Sequence, residues 1–263
     1  MKKIIVEIRI INPTIKRIIC KNPSCEICLG EDGLGAYIEK DTFRPNRNNY
    51  KARLLLKFTG WEYYLNLIKF HYVLHPELVT YTSNLKLRNI LPFSSNDSAF
   101  NTIIESVWGT YKISKCSILF LQQPLHGEFD ELYKLQTSIL NTFANSSLAN
   151  KVTVKLHPRE FNLNLPSQLA IIDQPVLYEL SVKNTTDLKF IVSVFSSALF
   201  TSFLLWGNTT PIVLLYNIGE KAVVISKNME LFVKRFKRGY EKSGGKMYQP
   251  KTKEELLQIL RNH

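Results

Sequence analysis

The chain has 263 residues, and 34 Lys and Arg residues against 22 Asp and Glu residues give it a formal net charge of +12. Its content of 45% hydrophobic and 21% charged residues is typical of a globular protein and excludes a collagen, a coiled coil or a disordered polymer as the whole chain. The four cysteines are too few for a disulfide framework, so a reducing compartment, the cytoplasm, is expected.

The amino-terminal third begins with apolar segments and a glycine-rich loop. Residues 1–9 begin like a signal peptide, but two charged residues interrupt the apolar run, which argues against secretion. Residues 27–37 predict a short strand that enters the loop Gly30-Glu31-Asp32-Gly33. The pattern then predicts a partly helical segment over 51–79, a connection over 84–97 and a short helix over 99–108.

From about residue 112, short apolar strands alternate with amphipathic helices. The predicted strands are 117–121, 151–156, 169–172, 188–195 and 211–216, and the predicted helices are 128–143, 198–206, 229–238 and 253–261. This alternation predicts an α/β fold with a parallel sheet, in which ligands bind beyond the carboxyl ends of the strands.

The uncharged run over residues 190–206 is nearly long enough to span a bilayer. It contains five hydroxyl-bearing residues, and it changes from β-branched and aromatic residues to helix formers at Ser196-Ser197. This pattern favours a buried strand, a serine turn and a buried helix over a membrane span.

Three short clusters lie where predicted strands end. In the first, Glu31 and Asp32 are adjacent carboxylates in a glycine loop. Unless they point apart, mutual repulsion is expected to raise the pKa of one of them and suit it to accept a proton. An exposed acidic turn is the plainer interpretation of the same residues.

The second cluster is Lys155-Leu156-His157-Pro158-Arg159. Pro158 stops the strand, and a histidine between two cations suits a phosphate that gains charge as it leaves. A histidine bonded to a backbone carbonyl is the alternative. A second His-Pro step, His75-Pro76, lacks neighbouring cations and is the less favoured copy.

The third cluster is Ser196-Ser197, between a strand and a helix. Two hydroxyl groups beside the free amides of a helix amino terminus form an anion site, although a plain helix cap is the common alternative. The loop after strand 117–121 should face the same cleft, and it carries Gln123, His126 and the reserve carboxylates Glu128 and Asp130.

Other signals are weaker. Cys20, Cys25 and Cys28 have metal-like spacing but lack a fourth ligand, so no metal site is predicted. Scattered Lys and Arg residues without a recognition module argue against nucleic acid as the partner. The basic segment 234–238, with apolar residues at helical spacing, indicates either a solvated helix face or peripheral contact with an anionic membrane surface.

In this order, the acidic-acidic-Gly, Lys-x-His-Pro and Ser-Ser clusters resemble the motifs of the bacterial sialyltransferases. The nearest resemblance is to glycosyltransferase family 52, the lipooligosaccharide sialyltransferases, and the capsule polysialyltransferases share the same motifs. The resemblance covers residue 27 to the carboxyl terminus, including a tail over residues 244–256 that is similar to the closing helix of that family.

The resemblance implies a GT-B fold of two Rossmann-like domains with the active site between them. The expected domains are a partial acceptor-side domain over 1–110 and a nucleotide-sugar domain over 111–263. The implied donor is CMP-sialic acid, the implied acceptor is a terminal galactose or similar sugar, and the implied reaction inverts the anomeric carbon without a metal or other cofactor.

Carried over residue by residue, the resemblance makes Glu31 or Asp32, with a slight preference for Asp32, the general base. It makes His157 the group that assists departure of CMP. The implied donor-binding residues are Lys155, Pro158, Ser196, Ser197, Gln123 and Gly33.

Only about thirty residues precede the acidic motif, whereas the family has a sizeable part of a Rossmann domain there. Because each βαβ unit needs roughly thirty residues, an incomplete amino-terminal domain is expected. Its open sheet edge would then need a partner chain, such as a second copy in a homodimer.

Two other functions fit parts of the pattern. The CDP-glycerol-dependent glycerophosphotransferases of cell-wall polymer synthesis share a Lys-x-His-Pro and a Ser-Ser, but often carry an acidic residue shortly before the serines, where this chain has Val194-Phe195. A truncated relative that binds nucleotide without turnover is the second alternative.

Overall fold

The computed structural model describes residues 3–6, 17, 19–22, 26–31, 33–38, 50–60, 63, 66–81, 85–90, 102, 106, 116–124, 130–157, 165–172, 178–179, 187–219 and 225–262. The chain divides into two compact units. The first unit comprises Met1–Pro92 and Ser226–Val233, and the second comprises Phe93–Ile225 and Lys234–His263.

The first unit contains a four-stranded parallel sheet. Its strands are β1 (Lys3–Val6), β2 (Glu26–Leu29), β3 (Phe70–Val73) and β4 (Lys86–Asn89), which lie in the order β1-β2-β3-β4. Helices α1 (Gly35–Ile38) and α2 (Tyr50–Phe58) come after β2, and a 3-10 turn, Pro76–Leu78, comes after β3. Among these described strands the order never reverses.

The second unit contains a six-stranded parallel sheet. Its strands are β5 (Ile118–Leu121), β6 (Val152–Lys155), β7 (Ala170–Ile172), β8 (Phe190–Ser193), β9 (Ile212–Leu214) and β10 (Met247–Tyr248). The later helices of the chain are α3 (Asp130–Ala144), α4 (Ala198–Trp206), α5 (Lys227–Lys242) and α6 (Lys253–Arg261), and residues 227–233 of α5 are assigned to the first unit.

The strand order of the second sheet is β10-β9-β8-β5-β6-β7. From β5 the chain builds outward through β6 and β7, then returns to the other side of β5 and builds outward through β8, β9 and β10. This is the order of a Rossmann sheet, and its switch point lies between β5 and β8. Because ligands bind beyond the carboxyl ends of the strands at such a point, this edge of the sheet is where a nucleotide site is expected.

The central strands explain why the sequence folds in this way. All four residues of β5 and all four residues of β8 are buried. Continuous apolar strands of this kind are typical of a parallel sheet that is covered on both faces, since neither face can be left to water. The polar residue Ser193 closes β8 and donates its hydroxyl hydrogen to the Leu121 carbonyl at 2.8 Å, which satisfies both groups in the core.

Helices α4 and α5 pack through aromatic side chains in the second unit. The Phe200 and Phe236 rings lie 4.8 Å apart, and the Phe203 and Tyr240 rings lie 5.1 Å apart, both edge to face. The Tyr240 hydroxyl donates to the Thr210 carbonyl. Each buried phenylalanine contributes about 1.5–3 kcal/mol by leaving water, so this cluster fixes α4 against α5.

The main sequence expectations are confirmed. The fold is α/β with two parallel sheets, as in Rossmann-like GT-B proteins. Residues 190–206 form strand β8, a serine turn and helix α4, and no helix in the described part of the chain is long and apolar enough to cross a membrane. Thr252 caps α6, accepting a hydrogen bond from the Glu255 amide at 3.1 Å.

Three elements depart from the prediction. Strand β3 lies in the segment expected to be partly helical, where α2 and the described residues 63 and 66 are helical, and β4 lies in the expected connection. The two-residue strand β10 had no predicted counterpart. Of the predicted helix over residues 99–108, only residues 102 and 106 are described, and both are helical.

Candidate active site

The acidic motif follows β2 in the first unit. The Glu31 carboxylate accepts two hydrogen bonds on Oε2, from the Tyr37 hydroxyl at 2.7 Å and from the Leu74 amide at 2.6 Å. Gly33 has a φ of 90°, a conformation that side-chain-bearing residues rarely adopt, and it turns the loop into α1. Asp32 lies outside the described residues.

Tyr37 is fully buried. Its hydroxyl donates to Glu31 and also takes part in a hydrogen bond with the backbone of His75. Burial raises the pKa of the Tyr37 phenol far above its usual range, and the charge of the Glu31 carboxylate raises this pKa further. The phenol therefore keeps its proton at any physiological pH. Its ring lies 5.6 Å from the Phe232 ring, which belongs to the same unit.

The two donors to Glu31 belong to segments that are bonded to each other. The Tyr37 carbonyl accepts hydrogen bonds from the Thr80 amide at 2.8 Å and from the Thr80 hydroxyl at 3.0 Å. The Tyr81 hydroxyl donates to the Ala36 carbonyl at 3.1 Å. Since α1 and residues 74–81 are held together in this way, the carboxylate is fixed by the fold of the unit rather than by one flexible contact.

The Lys-x-His-Pro cluster lies at the end of β6 in the second unit. Lys155 is 5% exposed, and its ammonium group donates to the Leu156 carbonyl at 3.1 Å. His157 is half-buried, and its backbone amide donates to Oε1 of Gln122 at 2.9 Å. Pro158 and Arg159 lie outside the described residues. A buried cation and a histidine thus lie two residues apart at the same strand end, which suits an anionic ligand.

The serine pair lies at the end of β8, where α4 begins. Ser196 is 9% exposed, and its hydroxyl oxygen accepts a hydrogen bond from the Ala198 amide at 3.3 Å. The exposed Ser197 makes no capping hydrogen bond with its side chain among the described residues. The capping role thus falls to Ser196, and the Ser197 hydroxyl lies at a helix amino terminus, where anions bind.

Three glutamines connect these two strand ends, and we call Gln122, Gln123 and Gln136 the glutamine clamp. Gln122 accepts from the His157 amide and donates to the Gln123 carbonyl at 2.9 Å. Gln123 accepts from the Phe195 amide at 3.0 Å. Gln136, on α3, accepts from the Gln123 amide at 2.9 Å and donates to the Gln123 carbonyl at 3.1 Å.

The predicted site residues therefore fall into two groups. Glu31 and Gly33 belong to the first unit, and Lys155, His157, Ser196, Ser197 and Gln123 belong to the second. Within the second unit, Gln122 and Gln123 join the loops of His157 and Ser196 through hydrogen bonds. Asp130 is the exposed first residue of α3, whereas His126 and Glu128 lie outside the described residues.

The second His-Pro step has a different setting. His75 precedes the 3-10 turn in the first unit, and its Nδ1 lies 3.0 Å from Oε1 of Glu77. The described residues contain no group of three or more His, Cys, Asp or Glu side chains with the geometry of a metal site.

Sequence reasoning missed Tyr37, Leu74, Gln122 and Gln136. Two adjacent amides directly after an apolar strand, Gln122-Gln123, are a usable signal, since amide side chains there can bond to neighbouring strand ends. The contacts of Tyr37 and Leu74 with Glu31 had no such signal, because they depend on the packing of α1 against the segment after β3.

Comparison with known proteins identifies the family of the chain. A model of the alpha-2,8-polysialyltransferase family matches residues 2–215, a range that includes all three clusters and both sheets up to β9. A search of curated proteins returns no match. The chain is thus a glycosyltransferase of the sialyltransferase class, which confirms the resemblance of its motifs to the bacterial sialyltransferases. Within this class, it belongs to the alpha-2,8-polysialyltransferase family.

Proposed function

We propose that the chain transfers a sialyl residue from CMP-sialic acid to a hydroxyl group of a glycan, with inversion at the anomeric carbon and without a metal. The observation that carries this proposal is the switch point of the second sheet. There, Lys155, His157 and the Ser196-Ser197 pair lie at the ends of strands that flank β5. This combination of cation, imidazole and helix amino terminus suits the phosphate of CMP.

In the proposed step, a carboxylate of the acidic motif removes the proton from the acceptor hydroxyl. The acceptor oxygen forms a bond to the anomeric carbon, and the bond from that carbon to the phosphate oxygen breaks. CMP leaves with the electron pair, and His157 donates a hydrogen bond or a proton to the departing phosphate oxygen. The proton taken by the carboxylate and the charge gained by CMP balance.

We assign the role of base to Glu31, because its carboxylate is held in one orientation by Tyr37 and Leu74. A base that is already oriented loses no further conformational entropy when it reaches its reactive geometry. Gly33 allows the tight turn that follows the acidic pair. Lys155, Ser196, Ser197 and Pro158 serve the donor in this proposal, with Gln123 supporting their loops.

The acceptor is proposed to be a sugar hydroxyl of lipooligosaccharide or capsule. A terminal galactose follows from the family 52 resemblance. The name of the matched family, alpha-2,8-polysialyltransferase, points instead to the 8-hydroxyl of a terminal sialic acid. An acceptor panel with lactosides and sialyllactosides separates the two.

The experiment is calorimetric titration of the chain with CMP, beside an assay of CMP release from CMP-sialic acid with and without acceptor. Saturable CMP binding and acceptor-dependent release are expected. CMP binding without CMP release would indicate a non-catalytic relative. Release of CMP from CDP-glycerol but not from CMP-sialic acid would indicate a glycerophosphotransferase. A folded chain that binds no CMP would overturn the proposal.

We also propose a cytoplasmic location with peripheral contact between α5 and an anionic membrane. The exposed residues Lys227, Lys234, Arg238 and Lys242 of α5 flank Leu231, which is 37% exposed. Co-sedimentation with vesicles should increase with their content of anionic lipid. Equal sedimentation with neutral and anionic vesicles would count against this contact.

A further inference from the structure

The glutamine clamp connects the two strand ends that flank β5 through side-chain amides. Gln122 is 3% exposed and Gln136 is 2% exposed, so their polar groups have lost water and need partners within the protein. Each has found backbone partners: Gln122 at His157 and Gln123, and Gln136 at both backbone groups of Gln123.

The orientation of each amide is fixed by the chemistry of its partners. A backbone N–H can only donate and a backbone carbonyl can only accept, so the oxygen of Gln122 must face the His157 amide and its nitrogen the Gln123 carbonyl. The same argument fixes Gln136. Only a side chain that carries both an acceptor and a donor on one planar group, such as an amide, satisfies the backbone N–H and the carbonyl at once.

The clamp lies at the switch point. Gln123 bonds to Phe195, the residue before Ser196, and Gln122 bonds to His157 itself. We propose that Gln122 and Gln123 are positioning residues of the donor site, which hold the His157 and Ser196-Ser197 loops at a fixed separation around the donor phosphate. This inference rests on the proposed function, and it adds residues that act through the loop backbones.

The clamp holds backbone rather than reactive side chains, so its loss should shift both loops without removing a catalytic group. A displacement of about 1 Å in a positioned group can lower turnover roughly 100-fold. A residue that served only the stability of the fold would lower the melting temperature and leave kinetic constants below that temperature unchanged.

The first test needs no activity. In Gln122→Met, exchange of the His157 amide with solvent should become about tenfold faster while exchange of the Phe195 amide stays as in the wild type. Gln123→Met should give the reverse pattern. Gln122→Glu keeps an acceptor for the His157 amide and should restore its protection. Gln168→Met, at an exposed glutamine of the same unit, is the matched control and should change neither amide.

The second test is a double-mutant cycle on CMP release. Gln122→Met should lower kcat about 10- to 100-fold, and in a His157→Ala background it should cost less than threefold more, because the two residues act as one unit. Gln123→Met and Ser196→Ala should be coupled in the same way. Gln122→Met and Ser196→Ala should be nearly additive.

The outcomes separate the two proposals. If the wild type neither binds CMP nor releases it, the proposed function fails. Amide exchange alone then tests whether Gln122 and Gln123 hold the two loops. If the wild type is active but Gln122→Met and His157→Ala are additive, or the His157 amide is equally protected in Gln122→Met, the positioning role is overturned. If Gln122→Met does not fold, Gln123→Met carries the same comparisons, with the Phe195 amide and Ser196→Ala in place of the His157 amide and His157→Ala.

Discussion

The two units hold their candidate site residues in opposite ways. In the first unit, a side chain is held: Tyr37 and Leu74 donate to the carboxylate of Glu31. In the second unit, backbone is held: Gln122 and Gln123 accept from the amides of His157 and Phe195. The donors to the Glu31 carboxylate set both its protonation and its direction. The hydrogen bonds to the His157 and Phe195 amides set only the position at which each loop begins. The first site should therefore respond to pH, and the second to geometry.

The sharpest way to break this comparison is to remove the acidic charges one at a time. Glu31→Gln keeps an oxygen for Tyr37 and Leu74 but removes the base, so kcat for CMP release should fall about 10³–10⁴-fold. Asp32→Asn should lower it less than tenfold. Steady-state kinetics on the two purified variants measure the difference, and the reverse order of effects would assign the base to Asp32.

Removal of the imidazole in the second unit should have the next largest effect. His157→Ala should lower kcat about 10²–10³-fold, because the leaving phosphate loses its donor, while KM for the acceptor changes little. His75→Ala is the matched control, since it removes the histidine of the other His-Pro step. Wild-type turnover in His157→Ala would remove His157 from the mechanism.

A smaller change sharpens the contrast in pH response. Tyr37→Phe keeps the ring but removes one hydrogen bond to the charged Glu31 carboxylate, so the acid limb of the kcat/KM profile should move to higher pH. The maximum rate should fall by about tenfold or less. Tyr81→Phe removes a hydrogen bond to a carbonyl of α1 instead, and its profile should keep the wild-type midpoint. A common shift in both variants would point to loosening of α1 rather than to Glu31.

The smallest expected effect concerns stability at alkaline pH. Burial raises the pKa of Tyr37 in the first unit and of Tyr178 and Tyr240 in the second unit. An unfolded tyrosine ionises near pH 10, whereas these three tyrosines resist ionisation in the folded protein. They therefore leave the free energy of unfolding unchanged below that pH. It should fall above it, by about 1.4 kcal/mol per pH unit for each tyrosine.

Urea denaturation between pH 9 and pH 11 measures this slope. Tyr240→Phe should make the decline shallower by one tyrosine, although the variant also loses the hydrogen bond to the Thr210 carbonyl at every pH. A slope identical to that of the wild type would mean that Tyr240 ionises without unfolding.

Much of the second unit could be predicted from the sequence because its central strands are continuous apolar runs. Strand β8 is an uncharged apolar run, and α4 follows it at a serine pair, so the boundary at Ser197 could be predicted without a structure. Strand β4, with the sequence Lys86-Leu87-Arg88-Asn89, is largely exposed at the edge of its sheet. It shows no apolar run, and only its pairing with β3 makes it a strand.

The strand-end clusters could be predicted because parallel strands bring their carboxyl ends to one edge. Their supports could not. Gln122 is 35 residues from its partner His157, and Gln123 is 72 residues from Phe195. Such contacts depend on strand order and register, which alternation of strands and helices leaves open. Glu31 and Leu74 are separated by 43 residues for the same reason.

The glutamine clamp has a consequence for how this fold can diversify. It recognises only peptide groups, which every residue except proline provides in full. Substitutions other than proline at positions 157, 196 and 197 therefore leave the hydrogen bonds from Gln122 and Gln123 in place, because these bonds go to the amides of residues 157 and 195. In the proposed donor site, Ser197 neither caps α4 nor takes part in the proposed proton transfer, so position 197 can be varied to change donor preference while the hydrogen bonds of the glutamine clamp stay in place.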